Sequence, residues 1–169
     1  MQLTYIDEDD RAAGLAGMMI SLATMDALDS LVSASLDAEG PMLRFGDSYY
    51  LGMSPAVSPK AVWETTMRNL HVTASLVLAN IMSRSLLKGR GEIPEPIKRE
   101  IYAAVEAEGS DACGLEKDEI RTFFDRTYLQ QRRIFGNPQL RPAIQSLCGV
   151  LKERRDFTAA EIHDLLSNL

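Results

Sequence analysis

Between Leu70 and Met82 the chain reads Leu-His-Val-Thr-Ala-Ser-Leu-Val-Leu-Ala-Asn-Ile-Met, apolar on nearly every face of a helix. A helix that is apolar all round has to be covered all round, so this one is expected at the buried centre of a bundle. Its limits are marked chemically. Ser58-Pro59 reads as an N-cap followed by proline at the first helical position, and Lys88-Gly89-Arg90-Gly91 offers a terminal glycine with cations near the negative pole. Pro94 and Pro96 enforce the break, which predicts a helix from about Pro59 to Lys88. A chain of 169 residues, 46% hydrophobic and 25% charged, can bury roughly 70% of its unfolded surface around such a centre. That composition excludes wholesale disorder and fibrous or collagen-like structures.

The covering elements follow from periodicity and caps. A first long helix is predicted from Asp7 to Ala38, with Asp7 as N-cap and Glu8, Asp9 and Asp10 at the positive pole. Met18, Met25, Val32 and Leu36 recur at near-heptad spacing along it. Gly14, Gly17 and Ser21 lie on the same stripe and admit close approach of a partner backbone, while Asp26, Ser30, Ser33 and Asp37 mark a solvated face. Met42–Phe45 and Ser48–Leu51 flank Gly46-Asp47, a pattern that predicts a type II′ hairpin. Gly52 to Pro59 reads as a connector. Four shorter helices follow: one through Ile97–Val105 that stops before Gly109, one over Glu116–Phe135, one opened by Asn137-Pro138, and one opened by a Thr158/Glu161 capping box with Phe157 and Ile162 as its staple. The fold class expected is all-α, a bundle of about six helices (two long, four shorter) with one small β-hairpin between the long pair. It forms one domain over 1–169, divisible into 1–91 and 92–169.

The net charge of −6 conceals a gradient: −6 over residues 1–60, −3 over 61–120 and +3 over 121–169. An acidic front and a basic rear can orient a partner or a second copy, although a solvated surface also accounts for them. The acidic amino terminus lacks the pattern of a secretory signal, and Asp26 and Asp29 interrupt the longest apolar stretch, Gly14–Leu36. Cys113 and Cys148 stand far apart and outside any Cys-x-x-Cys spacing, which suits packed, reduced thiols. A cytoplasmic location, with no membrane contact, is the expectation.

Constellations for chemistry are incomplete. His71 sits in the most apolar helix, yet Met67, Arg68, Ala74 and Ser75, its helical neighbours, supply no carboxylate to orient it as a base. His163 and Glu161 are two apart and diverge on a helix. Asp26 and Asp29 lack the Glu-x-x-His pair of a di-metal bundle. A calcium loop over Gly109–Ile120 fails where Cys113 and Ile120 replace oxygen ligands, and Lys88–Gly91 closes a helix where a phosphate loop would open one. No cofactor and no metal is therefore expected. Arg126, Arg132 and Arg133, with Lys152, Arg154 and Arg155, form the basic rear. Leu147–Leu166 resembles the first two helices of a helix-turn-helix reader, but no recognition helix follows before Leu169. The acidic net charge also disfavours nucleic acid.

Eight methionines suit either core gaps or a plastic groove. Tyr49 and Tyr50 place two aromatics on the expected hairpin, where an interface would use them. The leading expectation is a non-catalytic protein-interaction or structural module, a symmetric homodimer that docks through its hairpin or first helix, or a protein that binds another partner. The alternatives are a DNA-associated accessory protein using the basic rear, and an enzyme with a site around His71.

Overall fold

A computed structural model describes residues 3–50, 58–90 and 92–167. Mostly helical, it has six helices of nine residues or more, one shorter helical turn and one small three-stranded antiparallel sheet. Helix α1 spans Glu8–Thr24; a 3-10 turn at Leu28–Ser30 leads into strand β1, Leu31–Ser35. Strand β2 (Leu43–Phe45) and the single turn α2 (Asp47–Tyr50) precede helix α3, Pro59–Leu87. Helices α4 (Glu95–Cys113), α5 (Lys117–Phe135) and α6 (Leu140–Arg154) come next, then strand β3 (Asp156–Thr158) and helix α7, Ala159–Ser167.

Helix α3 is the centre expected of it. Ser58 Oγ accepts the Ala61 backbone N–H at 3.3 Å, Pro59 opens the helix, and α1, α4, α5 and α6 all pack on it. By length and composition α3 is apolar enough to cross a membrane, but 61% of that apolar window is buried inside the fold, as in a core helix. Its tightest neighbour is α1. A Cβ on Gly14 would lie 2.4 Å from Asn80 Nδ2, and one on Gly17 would lie 2.4 Å from Ser83 Cβ and 2.6 Å from the Ala79 carbonyl oxygen. The small-residue stripe thus brings the two backbones together. Ser83 Oγ closes the seam by donating to the Ala13 carbonyl at 2.6 Å.

At the outer end of that seam Asp10 lies buried between two cations. Its carboxylate accepts from Arg84 and from Lys88, each at 2.5 Å. Burial pushes this carboxyl up, and the two charged hydrogen bonds more than reverse it, holding the group at about 2. Arg84 also lies over the Tyr5 ring, whose hydroxyl accepts from Asn80 Nδ2 at 3.1 Å.

Three expectations are corrected here. First, α1 ends at Thr24 and does not continue to Ala38. Asp26 turns left-handed (φ 54°), the Asp26 and Ala27 N–H groups bond back to Ala23 and Leu22, and the chain leaves the helix by a Schellman turn. Leu31–Ser35 then pairs with β2 on one side and β3 on the other, in the order β2-β1-β3. Val32, counted on a helical stripe, is exposed, whereas Leu31 and Ala34 are buried. Second, the β element between the long helices is built from β1 and β2. Gly46-Asp47 is not a hairpin turn, and Ser48 to Tyr50 is helical; Leu51 and the connector over Gly52–Val57 lie outside the described residues. Third, α4 runs through Gly109, which packs against Leu70 and Ile120, and stops at Cys113 before left-handed Gly114.

Other local marks hold. Glu116 and Glu119 form a capping box on α5, and the Thr158 N–H and hydroxyl both donate to Glu161 at 2.8 Å at the start of α7. Phe157 and Ile162 are buried together with both cysteines. Burial pushes the Cys148 thiol up to about 11 and raises that of Cys113, which makes both poor nucleophiles.

Candidate functional site

The front half of α3 is built differently from its buried centre. Trp63, Met67 and His71 follow at four-residue intervals and share one face, and opposite them α5 presents Phe123, Arg126 and Gln130. Between these faces, with Leu115 at one end, runs an open groove of about 820 Å³. Its floor is apolar, and Trp63, the chain's lone tryptophan, stands 51% exposed on its edge. The two ends of the α5 wall differ in charge. Asp118 and Glu119 occupy the first turn, and Arg126 lies about 12 Å further along the axis from Asp118, with Arg68 on the facing helix.

Arg68, His71 and Gln130 also line a second, more enclosed recess of about 290 Å³. Its remaining walls come from the exit of α1 (Met25, Asp26, Ala27), from Ser30, and from Tyr49 and Val72. The recess owes its shape to the turn α2. The Gly46 N–H donates to the Ser30 carbonyl at 3.0 Å, the Tyr49 hydroxyl to the Asn69 carbonyl at 3.2 Å, and Asn69 Nδ2 back to the Tyr49 carbonyl at 3.1 Å. The Tyr49 ring stacks on Phe45 with centroids 4.5 Å apart. Burial raises the Tyr49 phenol above its ordinary value, so it stays a neutral donor.

The residues singled out from sequence fall into separate places. His71 lines both cavities and meets the Phe123 ring edge-on at 6.0 Å; its side chain makes no hydrogen bond or ion pair among the described residues. Tyr49 is buried in the core, and Tyr50 is half exposed beside it. Arg126 lines the groove. Arg132 pairs with Glu92 at 2.6 Å, and Arg133 is exposed on the surface. Arg154 pairs with Glu161. Arg155 reaches Asp37 and Glu8, both at 2.5 Å, and Lys152 reaches Asp9 at 2.7 Å. Much of the acidic front and the basic rear therefore meet inside one molecule. The α6–α7 pair that resembles a helix-turn-helix is joined through β3, a strand of the sheet. No group of three or more metal-ligating side chains occurs among the described residues.

Sequence reasoning does not bring Asp26 and Arg68 to one recess. Asp26 is solvent-exposed as expected, but it lies in the turn that ends α1 rather than on a helix face, and there it lines the recess with Arg68. The Trp63–Met67–His71 spacing was legible, but periodicity alone does not tell an exposed face from a covered one. Comparison with known proteins leaves the geometry to speak alone, since no family model, curated protein or solved structure matches the chain.

Proposed function

We propose that the protein is a non-catalytic helical interaction module that acts as a symmetric homodimer, with the α3–α5 groove as the contact. The groove's charge pattern carries this assignment: acidic at the start of α5, basic two turns later, with uncharged Thr122 and Phe123 between. A two-fold axis through the middle of such a surface sets the acidic end of each copy against the basic end of the other, and Trp63 against the partner's apolar floor. The pattern is thus complementary to itself. Alternative faces are less suited. Residues 12–22 of α1 are all buried, and Tyr49 is committed to the core. An orienting carboxylate hydrogen-bonded to His71, which base catalysis would favour, is lacking among the described residues.

Light scattering after gel filtration tests the assignment. The wild-type mass is expected at twice 18.7 kDa at micromolar concentration. Trp63→Ala and Arg126→Glu should each give the monomer, and Arg126→Glu with Asp118→Arg in one chain should restore the dimer, because the two-fold pairs those positions. A wild-type mass of 18.7 kDa, or a Trp63→Ala variant that stays dimeric, would refute it.

A further inference from the structure

The left-handed exits of the helices are not all alike. Helices α3 and α4 leave through Gly89 (φ 73°) and Gly114 (φ 65°), the residue type that takes this conformation without strain. Helix α6 leaves through Arg155 (φ 66°), whose cation suits a helix C-terminus and is held by Asp37 and Glu8. Helix α1 leaves through Asp26, which breaks two local rules at once. It is not glycine, and it sets a negative charge at the negative pole of the helix. The Asp26 side chain is exposed and makes no hydrogen bond or ion pair among the described residues. What Asp26 does have is the recess. Strained residues with no structural return concentrate where a site uses them.

The same recess is lined by Arg68, which is exposed and likewise without an ion pair or hydrogen bond among the described residues, and by Gln130 and His71. Opposite charges that line one cavity without forming an ion pair leave room for a guest that bears both signs. Met25, Ala27 and Val72 add apolar lining to the same recess. The volume of about 290 Å³ lies at the small end of ligand pockets, which run from about 300 to 1,000 Å³. We propose that this recess binds a free α-amino acid with an apolar side chain. Asp26 holds the ammonium group, Arg68 takes the carboxylate with Gln130 and His71 as further donors, and the side chain lies against the apolar lining. The recess shares Arg68, His71 and Gln130 with the groove, while Asp26 and the apolar Met25, Ala27 and Val72 belong to the recess alone.

Calorimetric titration of the full chain with the common L-amino acids, each at millimolar concentration, is the test. It is run on wild type and on the Trp63→Ala variant, so that binding is read whatever the oligomeric state. The tightest binder is then compared with its N-acetyl and its amide forms, each of which removes one charge. Each is expected to bind about ten-fold more weakly than the free amino acid, the loss of one charged hydrogen-bonding pair. Asp26→Gly, which suits the backbone and so keeps the fold, should abolish the preference for the free over the N-acetyl form. Arg68→Met should abolish the preference for the free over the amide form. Circular dichroism establishes that both variants are folded, and Asp26→Asn repeats the first in an isosteric side chain. No binding by any amino acid, equal binding of the capped forms, or an unchanged preference in the Asp26 variants would each overturn the proposal.

Discussion

The two halves of α3 meet the rest of the molecule in opposite ways. Towards its C-terminal end the facing helix carries glycines at positions 14 and 17, the backbones touch, and the polar side chains Asn80, Ser83 and Arg84 all find partners across α1 or the segment before it. Towards its N-terminal end the facing residues are Trp63, Met67 and Phe123, too bulky for close approach, and a groove and a recess open between the helices. Small residues convert a helical face into a closed seam, and large ones hold the faces apart. The same helix can therefore anchor the fold at one end and offer a surface at the other, with side-chain volume setting the division.

If so, added volume must be tolerated at one end and not at the other. Gly17→Ala should cost the most, about 3 kcal/mol, because its methyl group would meet the Ala79 backbone carbonyl at 2.6 Å and neither backbone can yield. Gly14→Ala should cost less, about 1.5 kcal/mol. There the obstacle is the Asn80 side chain, which can swing aside at the expense of its hydrogen bond to Tyr5. Urea unfolding of the two variants measures the difference. Equal costs would mean that the seam is looser than its contacts indicate.

The next effect is electrostatic and belongs to the same closed end. The Asp10 carboxyl is held at about 2 in the folded protein against 3.8 for the free group, so its folded value is depressed. Its stabilisation is therefore complete above the unfolded value and is lost as pH falls from about 4 through about 2. The shift corresponds to about 2 kcal/mol, and the carboxylate is nearly inaccessible to solvent, so little of this is screened away. Asp10→Asn should lower stability at neutral pH by about that amount and flatten this part of the acid limb of the stability curve. A variant with an unchanged acid limb would show that Arg84 and Lys88 do not hold the charge.

Trp63→Ala probes the open end. The indole is half exposed and packs on no closed core, so monomer stability should change by no more than about 0.5 kcal/mol while the dimer is lost. A loss of several kcal/mol in the monomer would place Trp63 in the core and erase the contrast between the two halves.

How far these halves were legible from residues alone depends on the range of the forces involved. Caps act within one turn, so Ser58-Pro59, Glu116 and Thr158/Glu161 marked their helices directly. The stripe of Gly14 and Gly17 also carried its own message, since such residues admit a neighbour whatever that neighbour is. The end of α1 was different. The spacing of Met18, Met25, Val32 and Leu36 fits a helix, and what draws Leu31–Ser35 into a sheet is partly β3, whose Thr158 pairs with Ser33 from the far end of the chain. The recess inherits that dependence, because Asp26 reaches it only when α1 stops. Charge misled for the same reason: a gradient read along the chain became ion pairs such as Arg155–Asp37 once the ends met.

The smallest expected effect has the most diagnostic sign. Replacing Asp26 with glycine removes the left-handed strain and the unfavourable charge at the end of α1, while glycine's greater freedom in the unfolded chain works against both. Strain and dipole together outweigh the entropy by a narrow margin, so the variant should be more stable by about 0.5 kcal/mol, read as a small rise in the urea midpoint at constant slope. At Gly89, where φ is 73°, the reverse change to Asp should be destabilising for the same reasons. Were Asp26→Gly destabilising instead, the carboxylate would be contributing to the fold, and its place at the recess would then need no ligand to account for it.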